Sequence, residues 1–304
     1  MFSKKTYILI TLLIILWGVV FLVKKTPWKS SEEKFLLPKN INLNKIEIEK
    51  KDKTIILKKR EDFWVVSSLG DFLADQEAVK RIERGIEGIK KMVLVSENPQ
   101  KSVVYGLADE GIKIKLYNNK GLVADFIVGK RGPSLGTTYI KFNQDEKVYL
   151  VEKDLREIFS LSDYRDKKVL NLEEKNIYKI NLKYLGKNIV WEKENEQWKI
   201  ASFPQFNIEQ ETIKGIVSLI SRFTAESIVD NNKIREKVDS DDLDLILTVF
   251  VKGGGEKKLF FNLVKDPKSG VENYYVKLEG KDTLYKIFKN QFKEIKKLVD
   301  LKNA

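Results

Sequence analysis

Two stretches of the sequence carry residue types that bind charged ligands. Gly129-Lys130-Arg131-Gly132-Pro133-Ser134 sets glycines beside basic side chains, a composition that can cradle phosphate. A P-loop needs G-x-x-x-x-G-K-[ST] between a strand and a helix, whereas the hydrophobic pattern here puts strands on both sides, so the stretch is read as a strand connection. Asp239-Ser240-Asp241-Asp242-Leu243-Asp244 gathers the carboxylate oxygens that a hard cation takes. Its sixth position is Asp244, where a calcium loop needs glycine, and its twelfth is Phe250, where it needs glutamate. It is not read as a metal site.

The chain contains no histidine and no cysteine. That removes thiolate nucleophiles, disulfides, Cys/His zinc sites and imidazole acid–base chemistry. No G-x-S-x-G or S-x-x-K context supports a serine nucleophile. Paired carboxylates for glycan cleavage leave no spacing signature, so an envelope carboxylate-based hydrolase or glycan-binding protein stays open as the second reading. No catalytic residue, cofactor or metal is expected. Trp64, Trp198, Tyr105, Tyr139, Tyr149, Tyr275 and Tyr285 lie in or beside apolar strand patterns and are read as sheet-packing residues rather than a ligand platform.

The net charge of +12 comes from 56 Lys+Arg against 44 Asp+Glu. A functional basic face needs clustering. Here lysines alternate with acids, as in Glu47, Glu49, Lys50, Lys51, Asp52 and Lys53, so the surface is read as solvated and no nucleic-acid partner is expected.

Several elements have to carry these residues. From Thr6 to Val23 no residue is charged, and at 1.5 Å per residue such a run can just cross a hydrocarbon core of about 30 Å. No small-x-small cleavage site follows in Lys24-Lys25-Thr26-Pro27-Trp28, so residues 1–25 are read as an uncleaved single-span transmembrane anchor and 26–41 as a tether. Lys4 and Lys5 precede the run while Lys24, Lys25 and Lys29 follow it, which does not favour an external C-terminal region. The short basic start ahead of an early apolar helix is nonetheless that of a signal anchor, and the region beyond it is expected outside the cytoplasm.

That region reads as a duplication. An offset of 134 carries Lys45-Ile46 onto Lys179-Ile180, Trp64 onto Trp198, Phe72 onto Phe206 and Val95 onto Val229; an offset of 136 carries Tyr139 onto Tyr275 and Tyr149 onto Tyr285. Each copy opens with short alternating strands, continues with a helix and returns to strands. The helix stripes are Val79, Ile82, Ile86, Ile89 and Ile213, Ile216, Ile220, Phe223. Asp75 and Asn207 are the expected N-caps, with Gln210 completing a capping box. Asn118 to Gly121 and Gly253 to Gly255 are expected hairpin turns. The fold class is α+β: one N-terminal transmembrane helix, then two tandem repeats, 42–172 and 173–304, of antiparallel sheet packed with helices.

The order Trp64, Ala74-Asp75 opening a helix, Tyr105-Gly106-Leu107, Val128-Gly129, Tyr139, Val148-Tyr149 and Tyr164-Arg165-Asp166-Lys167 resembles the bacterial family catalogued as domain of unknown function 4340. The resemblance spans about residues 42 to 300. Members of that family typically carry one N-terminal membrane anchor, and many are encoded beside ABC-type transporter genes resembling those of gliding motility. The resemblance therefore implies an accessory subunit working outside the membrane with a transport complex. It transfers no catalytic residue, so Trp64, Asp75, Tyr105, Gly106, Leu107, Gly129, Tyr139, Tyr149, Arg165 and Asp166 stand as motif positions without an assigned role. The second copy has Val238-Asp-Ser-Asp-Asp-Leu243 where the first has Tyr-Gly-Leu.

Overall fold

The computed structural model describes residues 17, 41–87, 89, 92–201, 209–238, 243–265 and 269–299. The expected anchor, apart from Trp17, and the tether, apart from Ile41, lie outside the described residues, as do Phe206, Asn207 and residues 239–242. Among the described residues no helix is long and apolar enough to cross a membrane. The chain divides into two compact units, one running through Tyr164 and the other starting at Arg165.

The first unit contains β1 (Lys45–Lys50), β2 (Lys53–Arg60), β3 (Phe63–Val66), β4 (Phe72–Leu73), α1 (Gln76–Ile86), β5 (Met92–Ser96), β6 (Ile112–Asn118), β7 (Gly121–Arg131), β8 (Thr138–Phe142), β9 (Val148–Val151) and α2 (Leu155–Phe159). These strands form one antiparallel sheet in the order β4-β3-β2-β1-β6-β7-β8-β9-β5. Two meanders are joined through the non-local pair β1 and β6, with Ile46 opposite Leu116 and Ile48 opposite Ile114.

Strand side chains alternate between two faces. One face buries Ile46, Ile48, Ile114, Leu116, Phe126, Val128 and Ile140 against Val79, Ile82 and Ile86 of α1 and Leu155 and Phe159 of α2. The predicted helix stripe is therefore the core stripe, although α1 ends at Ile86 and the buried Ile89 falls beyond it. On the outer face charges pair along β1 and across to β6. Lys45 binds Glu47 at 2.8 Å and Lys113 binds Glu49 at 2.7 Å.

The second unit contains β10 (Ile177–Tyr184), β11 (Lys187–Glu194), β12 (Gln197–Ile200), α3 (Gln210–Ser221), β13 (Ser227–Ile228), α4 (Asn232–Val238), β14 (Leu245–Val251), β15 (Gly255–Lys265), β16 (Glu272–Leu278), β17 (Leu284–Ile287) and α5 (Lys289–Lys296). Its sheet runs β12-β11-β10-β14-β15-β16-β17-β13, which is the order of the first sheet without β4. Ile213, Ile216 and Ile220 of α3 are buried, as is Phe223 just past the helix end. Among the described residues the duplication read at fixed offset is thus repeated in every strand except β4.

Residues 165–172, which the sequence reading grouped with the first repeat, belong to the second unit. The Val169 and Leu170 amides donate to the Phe223 carbonyl and the Leu172 amide to that of Ser221. Buried Leu170 and Val169 give the segment its reason to follow the second core. Gln210 is also placed differently from the capping-box reading. It is the first residue of α3, whose N-cap is Glu209.

Candidate functional site

In both sheets the topology leaves one crossing to be made. From β5 the chain must return to β6 past β9, β8 and β7, and the core face is already occupied by helices. Residues between β5 and β6 therefore run over the outer face, and the Tyr-Gly-Leu element is what lies there. Tyr139 neighbours the buried Ile140 on β8 and so points outward, where its ring meets that of Tyr105 with centroids 4.7 Å apart. The Lys130 amide donates to the Tyr105 carbonyl at 2.9 Å, and the Gly106 and Leu107 amides close the turn on the Val103 and Ser102 carbonyls. Leu107 is 3% exposed.

Two glycines permit this contact. At Gly129 a Cβ would stand 2.3 Å from the Tyr105 carbonyl oxygen, inside any allowed contact. Gly106 has φ +67, and its Cβ would meet the Lys130 side chain at 2.6 Å. Arg156, on α2, donates to the Glu110 carbonyl at 2.8 Å and approaches the Val128 and Gly129 carbonyls at 3.4 Å. Tyr105, Gly106, Leu107, Gly129 and Tyr139 are thus one cluster, a turn fastened to a strand.

The same outer face in the second unit is covered differently. Ladder register equates Val128, opposite Ile112 and Ile140, with Phe261, opposite Leu245 and Val276. Asn262 therefore stands where the first unit has Gly129. Here α4 is the cover, with Ile234 and Val238 packed on Val229, Tyr275 and Leu284. A cavity of about 380 Å³ remains, lined by Val238, Leu243, Phe260, Asn262 and Lys277 among others. Asp244, taken from the rejected cation motif, accepts the Leu263 amide.

Trp64 and Asp75 serve the far edge of the first sheet. Trp64 is in the core at 5% exposure. Its backbone N–H donates to Gln76 Oε1 at 2.9 Å while Gln76 Nε2 donates to its carbonyl at 2.9 Å and to that of Ala74 at 2.7 Å. Gln210 repeats the arrangement on Trp198, both bonds measuring 2.8 Å. A primary amide offers one acceptor and two donors, which is what an edge residue of a sheet lacks. Asp75 caps α1 as expected, Oδ1 accepting the Glu77 and Ala78 amides at 3.0 and 3.1 Å. Its own amide donates to the Tyr164 carbonyl at 2.7 Å.

Arg165 and Asp166 open the second unit. The Arg165 guanidinium, 6% exposed, forks onto Asp230 at 2.6 and 2.8 Å. Asp166 accepts the Lys168 amide at 3.0 Å. Tyr149 lies apart from all of these, its hydroxyl donating to Asp145 at 2.7 Å. Burial and that bond push the Tyr149 phenol up to about 12. The glutamine clamp was readable in the sequence, because Gln76 and Gln210 obey the same offset as the two tryptophans.

Lys50 has no such sequence signal. At the β1–β2 turn its amine donates to the Leu161 carbonyl at 2.6 Å, half-buried, with Lys53 donating to the Ser162 carbonyl beside it. Burial, and then the nearby Lys53 and Arg156, lowers the Lys50 amine to about 8. A lysine depressed on folding binds fewer protons in the native than in the unfolded chain between about pH 8 and about 10.4, so it makes stability rise with pH across that window. We expect Lys50→Met to be more stable than the natural chain below pH 8 and to lose this rise. Melting temperatures of both chains from pH 7 to 10 measure the difference, and parallel curves would refute it.

A family model described as Domain of unknown function (DUF4340) matches residues 64–244, more than half of the 304-residue chain. The chain belongs to this family. No curated protein and no solved structure matches it. The DUF4340 match begins at Trp64 and ends at Asp244, so it takes in both glutamine clamps, the Tyr-Gly-Leu turn and the passage between the units. All ten motif positions fall inside it.

Proposed function

We propose that this DUF4340 protein is a membrane-anchored, non-catalytic accessory or scaffolding protein whose two α+β units serve a protein partner outside the cytoplasm. The observation that carries this reading is the use to which its motif residues are put. Gly129 faces a carbonyl, Trp64 is held by Gln76, Asp75 caps a helix and Arg165 binds Asp230. Each is engaged in packing, backbone bonding or, for Arg165, a side-chain ion pair, whereas a catalytic site would converge unpaired polar groups on a cleft. The family resemblance and the apolar N-terminal run support an ABC-type transporter assembly as the partner.

Affinity purification of the tagged full chain from gently solubilised membranes is expected to bring down an ATPase subunit and its membrane-spanning partner in constant ratio. A monodisperse chain without companions would overturn the proposal. The cavity between Val238 and the β16–β17 turn favours a second reading, binding of a glycan or a carboxylate-based hydrolase, since Glu279 and Asp282 are among its lining residues beside Phe260. Glu279, however, is held by Lys258 at 3.1 Å. Hydrolysis of envelope glycan by the purified chain, lost in Glu279→Gln, would favour that reading.

A further inference from the structure

We propose that Lys50 is a site of reversible modification by carbon dioxide, at which the side-chain amine becomes a carbamate. Lys50 follows Ile46 and Ile48 on the core face of β1, because strand side chains alternate. It stands directly opposite Lys53 in the β1–β2 ladder, so the two side chains share a face with Cβ atoms about 4.5–5.5 Å apart, an arrangement in which like charges repel. The chain after α2 lies against the pair, the Leu161 carbonyl accepting from Lys50 at 2.6 Å and the Ser162 carbonyl from Lys53. Arg156, on α2, likewise donates to a carbonyl, that of Glu110.

Other cations of this unit find carboxylates: Lys45 with Glu47, Lys113 with Glu49, Arg131 with Asp154 and Lys141 with Glu146. Among the described residues no carboxylate is paired with Lys50, Lys53 or Arg156, and the charged groups that act on Lys50 are Lys53 from β2 and Arg156 from α2. A half-buried amine beside two cations is disfavoured as ammonium both by lost hydration and by repulsion. With the amine lowered to about 8, about a fifth of Lys50 is neutral at about pH 7.4, against about one in a thousand for an ordinary lysine. For an anion the same field has the opposite sign. Attack of the neutral nitrogen on the carbon of carbon dioxide forms the C–N bond, moves one C=O electron pair onto oxygen and releases one proton to water. The product carries a single negative charge where Lys53 and Arg156 supply positive ones. It also keeps one N–H, which is all that the bond to Leu161 uses.

The full chain in mild detergent is equilibrated with isotope-labelled bicarbonate and carbon dioxide near neutral pH, and the carbamate is trapped as its ethyl ester with triethyloxonium. Peptide mass mapping is expected to find the label on Lys50 about tenfold above exposed Lys51 of the same turn. Lys53→Met, which removes the facing charge, is expected to lower trapping at Lys50 about twofold to threefold. At fixed pH and ionic strength, carbon dioxide is expected to raise the melting temperature of the natural chain and to leave that of Lys50→Met unchanged, since a ligand that favours the folded amine stabilises the fold. Absence of label at Lys50, equal label on Lys50 and Lys51, or unchanged trapping in Lys53→Met would overturn the proposal. Far-ultraviolet circular dichroism of both variants checks that the fold is kept.

Discussion

Gln76→Ala is expected to destabilise the first unit by about 2–3 kcal/mol, since each net hydrogen bond contributes about 0.5–1.5 kcal/mol and a half-buried amide left alone costs more. Three bonds are lost, two to the Trp64 backbone and one to the Ala74 carbonyl. The Trp64 N–H loses its partner, whereas its carbonyl keeps the Ala74 amide at 2.9 Å. Hydrogen exchange should therefore accelerate at the Trp64 amide well before it does at Ile46 or Ile114 in the middle of the sheet. Gln76→Glu should be nearly as damaging, because a carboxylate accepts from Trp64 but cannot donate to the two carbonyls. Gln210→Ala, with two bonds in place of three, should cost less. Gln144→Ala, at an exposed turn, is the neutral comparison. Unchanged exchange at Trp64 in Gln76→Ala would show that the edge is held by something else.

Gly129→Val is the second large effect, and we expect a loss of about 3 kcal/mol, the upper part of the range for overpacked sites. The obstacle for the new Cβ is a backbone carbonyl at 2.3 Å, which cannot rotate away as a side chain can. The turn has to lift. It would take with it the bond from the Lys130 amide to Tyr105, the Tyr105–Tyr139 contact and the burial of Leu107. Gly106→Ala should cost about 1–2 kcal/mol, the penalty of a left-handed backbone for a residue with a Cβ, because the Lys130 side chain in its way is flexible. Calorimetric melting and near-ultraviolet circular dichroism of the tyrosines measure both. If Gly129→Val melts as the natural chain does, the Tyr-Gly-Leu turn is not seated on β7.

The two effects share an origin in the covering of β-sheet. One protects an edge through a side-chain amide, and the other a face through a glycine that leaves room for a carbonyl. The most specific motif of the DUF4340 resemblance, Tyr105-Gly106-Leu107, is in this structure a turn fastened to β7. The divergence of the copies follows the same line. Where Gly129 admits a turn, Asn262 sits under a helix and a cavity of about 380 Å³ remains.

Much of the fold was legible because it rests on local periods. Alternation in Lys45–Lys50 and Ile112–Asn118 gave strands, and the stripe of Val79, Ile82 and Ile86 gave the helix and its buried face. Asn118 to Gly121 gave a hairpin because glycine there takes a φ of +115. The repeat was legible because copies of one fold keep their spacing. Asp75 was legible as a cap because the partner amides, on Glu77 and Ala78, are two and three residues away. By contrast β5, β13 and α4 had too few residues to show a period, and Gln210 was assigned to the cap nearest in sequence rather than to Trp198, twelve residues back.

The amino-acid order by itself determined the classes of element, their succession, the doubling of the unit and the absence of imidazole and thiol chemistry, because these depend on residue type and on neighbours a few positions apart. Only the tertiary structure decided that β1 lies against β6, that the chain passes from one unit to the next at Tyr164, and that the Tyr105-Gly106-Leu107 turn is seated on β7. Those outcomes depend on which distant surfaces meet when the sheet closes. A pairing such as Ile48 with Ile114 is one of many apolar matches the sequence allows, and it is selected by the burial of the whole face at once.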